Sequence, residues 1–403
     1  MVTAIRPRAE RFAATPRAIA GAGAGLAAGL VGFLLSQSLI LTRADPAGAL
    51  ARWPWNAAAR AEQATALLTT AQDRATAARV RALSAAALRD QPLSVRAIRA
   101  LGVAQAIAGE ERAAGRTMGF AETLSRRDLP TELWLIEDRV ARGDVAGALV
   151  HYDRALRSAD TAPDLLFPVL VAASADPAVA RPLARLVATR PLWWRDYLTR
   201  LIQASPSSTG TATIVAALRL DQGDADERGL LSPAMTRLAD AGRADLAARL
   251  APVAGTLRNG GFEAQGGLVP FEWRLAEEGD LDAEIDVRPD GRGNALFLDA
   301  RSGRGGNVAR QLLTLAPGRY RLTGTAGDVA AGEVPTIYLA CAGKTTVIGR
   351  FRTRAAPTSG APFAIDFAVP AGCGGQWLGI EAVAPIDVSD RRPWIDDLRI
   401  ASQ

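Results

Sequence analysis

Histidine occurs once in the 403 residues, as His151, cysteine twice, as Cys341 and Cys373, and lysine once, as Lys344, so 46 of the 47 basic side chains are arginine. One histidine and two cysteines exclude a multi-histidine metal site, a zinc ribbon, an iron–sulfur cluster held by four cysteines and a spare Cys–His dyad. No G-x-S-x-G elbow, Walker loop, H-E-x-x-H helix or dinucleotide fingerprint occurs. The glycines of GRGNALF and SGRGGN do not open helices, so they do not cradle phosphate. Nucleic acid is not an expected partner, because the arginines are dispersed among acids and form no stripe. His151, on a helix face, lacks a legible nucleophile or carboxylate partner and is expected to be partly exposed and bystanding; Asp and Glu are abundant, but spacing along one sequence does not show which carboxylates pair in space.

What is present is 49% apolar and 22% charged, a globular balance, and the length exceeds one typical domain. Arg17 and Arg43 bracket the uncharged run Ala18–Thr42, while Arg6, Arg8, Arg11 and Arg17 precede it against Glu10. A run of that length suffices to span about 30 Å of hydrocarbon, and positive charge stays cytoplasmic. The expectation is a basic cytoplasmic tail (1–17), a transmembrane anchor (18–42), a juxtamembrane linker (43–55) and the rest periplasmic, in a bacterial inner membrane. A cleaved signal is the rival, but its core is usually about 7–15 residues, and the candidate site Ala49-Leu50-Ala51 lies well beyond this one. Gly21, Gly25 and Gly29 recur every four residues, a small-residue face suited to homo-oligomers or to a membrane-embedded or periplasmic protein partner. Trp53 and Trp55 suit either a membrane interface or packing on a first helix capped by Asn56.

From 56 to 255 the chain is rich in Ala, Leu and Arg with helical periodicity. Gly109 and Gly143 are 34 apart, as are Leu101 and Leu135, Ala114 and Ala148, and Ala87, Ala121 and Ala155 in series. The segment LWLIEDRVARGDVAGALVHYDRAL carries Gly143, Ala148, Tyr152 and Ala155 in an order that resembles the tetratricopeptide family. The glycine permits a tight turn between antiparallel helices, and the alanines sit where helices approach. The pattern departs from the family at Ala75, which replaces a turn glycine, and at Met118, which replaces the aromatic; beyond 163 the period fades while helix pairs continue. The resemblance implies an array whose concave face docks a partner protein. Trp193 and Trp194 are expected as packing residues.

Near Leu257 the texture changes to short alternating segments broken by Gly and Pro, such as NALFLDA, GRYRLTGTA, TIYLACA and WLGIEAV. In FAIDFAV the residues Phe363, Ile365, Phe367 and Val369 share one face, and the whole region 257–403 predicts an antiparallel sandwich. Cys341 and Cys373 are expected to pair if this domain lies outside the cytoplasm, the alternative being two buried thiols. The motifs NGGFE and WIDDLRI at the two ends, with Trp273 and APGRYRL, resemble jelly-roll carbohydrate-binding modules of the galactose-binding-like fold. That resemblance implies a structural Ca²⁺ on Glu263 and Asp396, with Asp397 turned to the other face by strand alternation, and sugar contacts from Trp273, Tyr338, Trp377 or Trp394. Of these, Trp273 and Trp394, with Phe262, sit in the fold motifs and suit a structural role.

The expected fold class is therefore multidomain: a transmembrane helix, an all-α tetratricopeptide-like superhelix and an all-β jelly-roll sandwich. The expected function is a non-enzymatic envelope scaffold, by analogy in surface-polysaccharide assembly or export, with polysaccharide as a partner of the sandwich. A scaffold without sugar contact and an unrecognised carbohydrate-active enzyme using two carboxylates are the alternatives. The net charge of +5 divides as +3 over 1–17, −2 over 257–403 and +4 between, so basicity marks the tail and the helices.

Overall fold

The computed structural model describes residues 16–251, 256–264, 266–278, 280–301, 305–384 and 391–403, with the side chains of the first helix described from Ala28 onward. The described chain divides into two compact units between Asp160 and Thr161.

The first unit is helical: α1 (Pro16–Leu41), α2 (Pro46–Arg52), α3 (Ala57–Thr70), α4 (Arg74–Asp90), α5 (Val95–Ile107), α6 (Glu111–Leu124), α7 (Leu129–Ala141) and α8 (Val145–Ser158). Polar caps set the helix starts. Asn56, Asp73, Ser94, Asp128 and Asp144 each accept a hydrogen bond from the backbone N–H three residues on, satisfying donors that the helix leaves open. Gly109 (φ +82°) and Gly143 (φ +70°) make the turns of the α5–α6 and α7–α8 hairpins in the left-handed region that glycine adopts without strain. The 34-residue period is visible in the helix starts: Val95 to Leu129, and Glu111 to Val145. Ala114 and Ala148, Ala121 and Ala155, and Met118 and Tyr152 occupy equivalent buried positions. Arginine ties successive hairpins together: Arg99 on α5 holds both oxygens of Asp128, the α7 cap, at 2.5 and 2.6 Å. Burial acts to raise the Asp128 carboxyl, but hydrogen bonds from Arg99 and Thr131 outweigh it and hold it below the usual carboxylate range.

The transmembrane expectation is corrected here. Among the described residues no helix is long and apolar enough to cross a membrane, so the single-pass inner-membrane placement is not supported. The stretch Ala28–Leu41 carries Ser36, Gln37 and Ser38, and Ser38 is buried, with its hydroxyl accepting from the Asn56 amide at 2.9 Å. The last turn of α1 thus docks on the helix that follows the linker. The basic tail up to Thr15, and the surroundings of Gly21 and Gly25, lie outside the described residues, while Gly29 faces open space. Trp53 and Trp55 stack edge-on at 5.4 Å just before α3, whose cap is Asn56 as expected.

The second unit opens with α9 (Ala162–Ala173), α10 (Pro177–Ala188), α11 (Trp194–Ala204), α12 (Ser208–Leu218), α13 (Ala225–Asp240) and α14 (Ala244–Leu250). Trp193 and Trp194 are buried, and Trp193 packs with Phe167 and Tyr197 at 6.3 and 5.9 Å.

Eleven strands follow among the described residues: β1 (Arg274–Leu275), β2 (Glu277–Glu278), β3 (Leu281–Val287), β4 (Asn294–Ala300), β5 (Gly306–Leu313), β6 (Gly318–Gly327), β7 (Thr336–Cys341), β8 (Val347–Arg352), β9 (Ala361–Val369), β10 (Gln376–Ala382) and β11 (Trp394–Ser402). They form two antiparallel sheets, ordered β1-β5-β10-β7-β8 and β2-β3-β4-β11-β6-β9. Their inner faces share one core that includes Leu296, Leu322, Ile337, Leu339, Leu378, Ile380 and Ile395. In β9 the alternation is as expected: Ile365, Phe367 and Val369 are buried between exposed Ala364, Asp366 and Ala368. Cys341 at the end of β7 and Cys373 in the turn before β10 form a disulfide with a Cα–Cα distance of 5.4 Å. It ties neighbouring strands, since Cys341 is the register partner of Gln376. Gln376 is itself buried, bonding Leu315 N–H and the Cys373 carbonyl. Lys344, in the β7–β8 turn, donates to the Gly372 carbonyl at 2.6 Å, spanning the same two turns.

Candidate functional site

The β domain has a cleft of about 1080 Å³ whose lining includes Glu272, Trp273, Arg274, Asn307, Arg310 and Tyr338. Sheet register builds it. Arg274 on β1 pairs with Arg310 on β5, Arg310 with Gly379 on β10, and Gly379 with Tyr338 on β7, so one row crosses four strands on the outer face of the sheet. Gly379 is the floor. A Cβ there would fall 2.0 Å from Tyr338 Cε1 and 2.5 Å from Asn307 Nδ2, so the phenol ring and the amide lie against bare backbone. A side chain at 379 would lift both. The Arg310 guanidinium stacks on the Trp377 ring at 4.5 Å, and Arg350, next in the row, pairs with Glu381 at 2.8 Å. Burial, with Glu381, pushes the Tyr338 phenol up against the pull of Arg310 and Arg350, so it remains an O–H donor at neutral pH. Glu272 accepts from Arg258 Nε at 2.5 Å. The arrangement offers one half-buried aromatic ring among arginine, amide and carboxylate groups, suited to a neutral or anionic polyhydroxylated ligand.

The four aromatics singled out in the sequence separate in space. Tyr338 lies in the cleft. Trp273 borders it but is 8% exposed, with Nε1 donating to the Asn259 carbonyl at 3.1 Å and its ring 5.5 Å from Phe262. Trp377 lies beneath Arg310. Trp394 belongs to the other sheet, 1% exposed, with Gly327 and Gly360 against its ring and Arg288 stacked on it at 4.8 Å. Sequence reasoning missed Arg310, Asn307 and Gly379. The alternation signal for Arg310 and Gly379 existed, but it shows which residues share a face only once register is known.

Glu263 and Asp396, expected on Ca²⁺, are both engaged otherwise. Glu263 accepts from the Asn294 backbone N–H at 2.9 Å and its side-chain amide at 3.3 Å. Asp396 is buried and accepts from Arg288 at 2.7 Å and from the Asp397 N–H at 2.6 Å. A register shift between Asp396 and Arg399, with Asp397 at φ +55°, breaks the alternation and also brings Asp397 to 3.6 Å from Arg288. Arg288 thus takes up the Asp396 carboxylate, while Asn294 takes up Glu263.

His151 departs most from expectation. It is buried, not partly exposed, and its Nδ1 lies 2.8 Å from Glu132 Oε2 and 3.8 Å from Glu122 Oε1. The carboxylate partners that the sequence did not reveal come from α7 and α6, brought to α8 by the hairpin about Gly143 and by the packing of α6 on α7.

No family model matches the chain, and no curated relative matches it. Among solved structures, the chain is similar to one titled "CBM4 structure and function", at 14% identity and a TM-score of 0.28, covering 37% of this chain and 100% of that one. A second is TmCBM61 in complex with beta-1,4-galactotriose, at 14% identity and a TM-score of 0.28, covering 37% and 99%. A third is the C-terminal CBM6 of LamC, a marine laminarinase from Zobellia galactanivorans, at 14% identity and a TM-score of 0.18, covering 30% and 93%. At these values the likeness assigns neither family nor ligand, and the cleft stands on its own geometry.

Proposed function

We propose that this chain is a non-enzymatic binding protein whose β domain takes a carbohydrate in the cleft beside Tyr338. One observation carries the reading: the Tyr338 ring lies on the bare backbone of Gly379, flanked by Arg310 and Asn307. An aromatic face packs on the C–H face of a pyranose, while the guanidinium, amide and phenol reach its hydroxyls. The tetratricopeptide-like helices supply the second half of the role, docking a protein partner, so that the whole chain acts as a scaffold in polysaccharide assembly. The test is a glycan array followed by calorimetry on the full chain, wild type and Tyr338→Ala. Binding of at least one glycan class, weakened at least tenfold in the variant, is the expected result. Absence of binding across the array, or equal binding by the variant, refutes it.

A further inference from the structure

Three helices of the first unit converge on a cluster that the cleft does not use. Glu122 (α6), Glu132 (α7) and His151 (α8) each offer one ligand atom, and these atoms lie within 4.8 Å of one another. Glu132 is fully buried, and while its Oε2 meets His151, its Oε1 has no hydrogen-bond partner. A buried carboxylate oxygen without a donor is costly, and native interiors rarely tolerate one unless a cation, water or proton completes it. Arg154, one turn beyond His151, pairs with Glu122 at the exposed side of the cluster. Glu122 and Arg154 are 19% and 30% exposed, so solvent reaches the cluster from that side.

We propose that Glu122, Glu132 and His151 form a binding site for a single divalent first-row transition-metal ion, with Zn²⁺ the reference case. His151 Nδ1 lies 2.8 Å from Glu132 Oε2 and 3.8 Å from Glu122 Oε1, and the whole set spans up to 4.8 Å, so an ion about 2.1 Å from each donor requires the partly exposed Glu122 side chain to swing inward. An imidazole with two carboxylates favours Zn²⁺ or Mn²⁺ over the all-oxygen preference of Ca²⁺ and Mg²⁺. Bound through Oε1 or through both oxygens, Glu132 gains the partner that its Oε1 lacks, and the two charges of the ion balance the two carboxylates. Arg154 then acts as a positioning residue, holding Glu122 at the mouth when the metal is away and retaining its second oxygen when the metal is bound. Three protein ligands leave a coordination position for water. A proton shared between His151 and Glu132 is the competing way to neutralise the cluster, and metal stoichiometry separates the two.

The experiment uses the full chain stripped with EDTA, then dialysed against Zn²⁺ or, separately, Co²⁺. Expected are one Zn²⁺ per chain by mass spectrometry of the metal content, a rise in Tm on zinc addition, and Co²⁺ absorption bands of a low-symmetry site. His151→Gln and Glu132→Gln should bind at least tenfold more weakly. Glu122→Gln, at the exposed edge where the fold is least at risk, should weaken binding with the circular dichroism unchanged. No retained zinc in the wild-type chain, or equal retention by a folded Glu122→Gln together with either buried variant, overturns the site.

Discussion

Cutting the Cys341–Cys373 bond should loosen one strand pair by a predictable amount. The bridge spans a sequence separation of 32 and joins the end of β7 to the turn leading into β10. In the chain-entropy model, a loop of that length removes about 3.7 kcal/mol of freedom from the unfolded ensemble. Where exchange of β7 and β10 amides requires opening of the β domain, that amounts to a fall in protection of about 500-fold. Native-state hydrogen exchange by mass spectrometry on the full chain reads it directly, with α3–α8 as an internal reference that should not change. Two perturbations separate crosslink from packing. Reduction keeps both sulfur atoms, whereas a Cys341→Ala/Cys373→Ala chain also empties their buried volume and should cost about 1 kcal/mol more. A fall of less than tenfold on reduction, or an equal fall in the helical hairpins, would show that the crosslink does not limit β-domain opening.

Gly343 (φ +67°) is closed to other residues, because a Cβ there would sit 2.1 Å from the Gly242 backbone nitrogen; Gly343→Ala should cost about 2–4 kcal/mol by thermal denaturation. Gly379→Ala should displace the Tyr338 ring, lowering glycan affinity at least tenfold while costing about 1–3 kcal/mol of stability by urea titration. Asp128→Asn keeps the α7 cap but discards the charge held by Arg99, and should lose about 1–3 kcal/mol at pH 7. The Asp128 carboxyl is held below its ordinary range, so its contribution is present above the unfolded value of about 3.9 and fades as pH falls through the lower folded value. Melting curves of wild type and variant should therefore converge in strong acid, and a gap that persists there contradicts the ion-pair account.

How far the sequence led differs from element to element. The helical hairpins were legible because a 34-residue repeat needs the same small residue wherever two helices touch, as at Ala114 and Ala148. The strand FAIDFAV was legible because a period of two has one buried face. The anchor was not correctly legible: a long uncharged run records hydropathy but not that Ser38 is occupied by Asn56 from a later helix. The His151 cluster was invisible for a related reason. Each helix shows its own periodicity, but which carboxylates of α6 and α7 meet α8 depends on packing angles that no single helix encodes. At Asp396 a bulge overruled alternation, and the cleft row from Arg274 to Tyr338 required register across strands far apart in sequence.

The lone lysine has a practical meaning for locating partners. Lys344 is the only side-chain amine in 403 residues, and its ammonium is held over the turn that carries Cys373. Apart from a terminal α-amine, amine-directed dyes and crosslinkers will therefore report from one corner of the β domain and leave the side chains of the helical hairpins silent. A failed amine crosslink says nothing about a protein docked on α3–α8, where carboxylate- or arginine-directed chemistry is required. The same scarcity makes Lys344 a ready-made single labelling point, whose reaction rate will follow the opening of the two turns that the disulfide holds together.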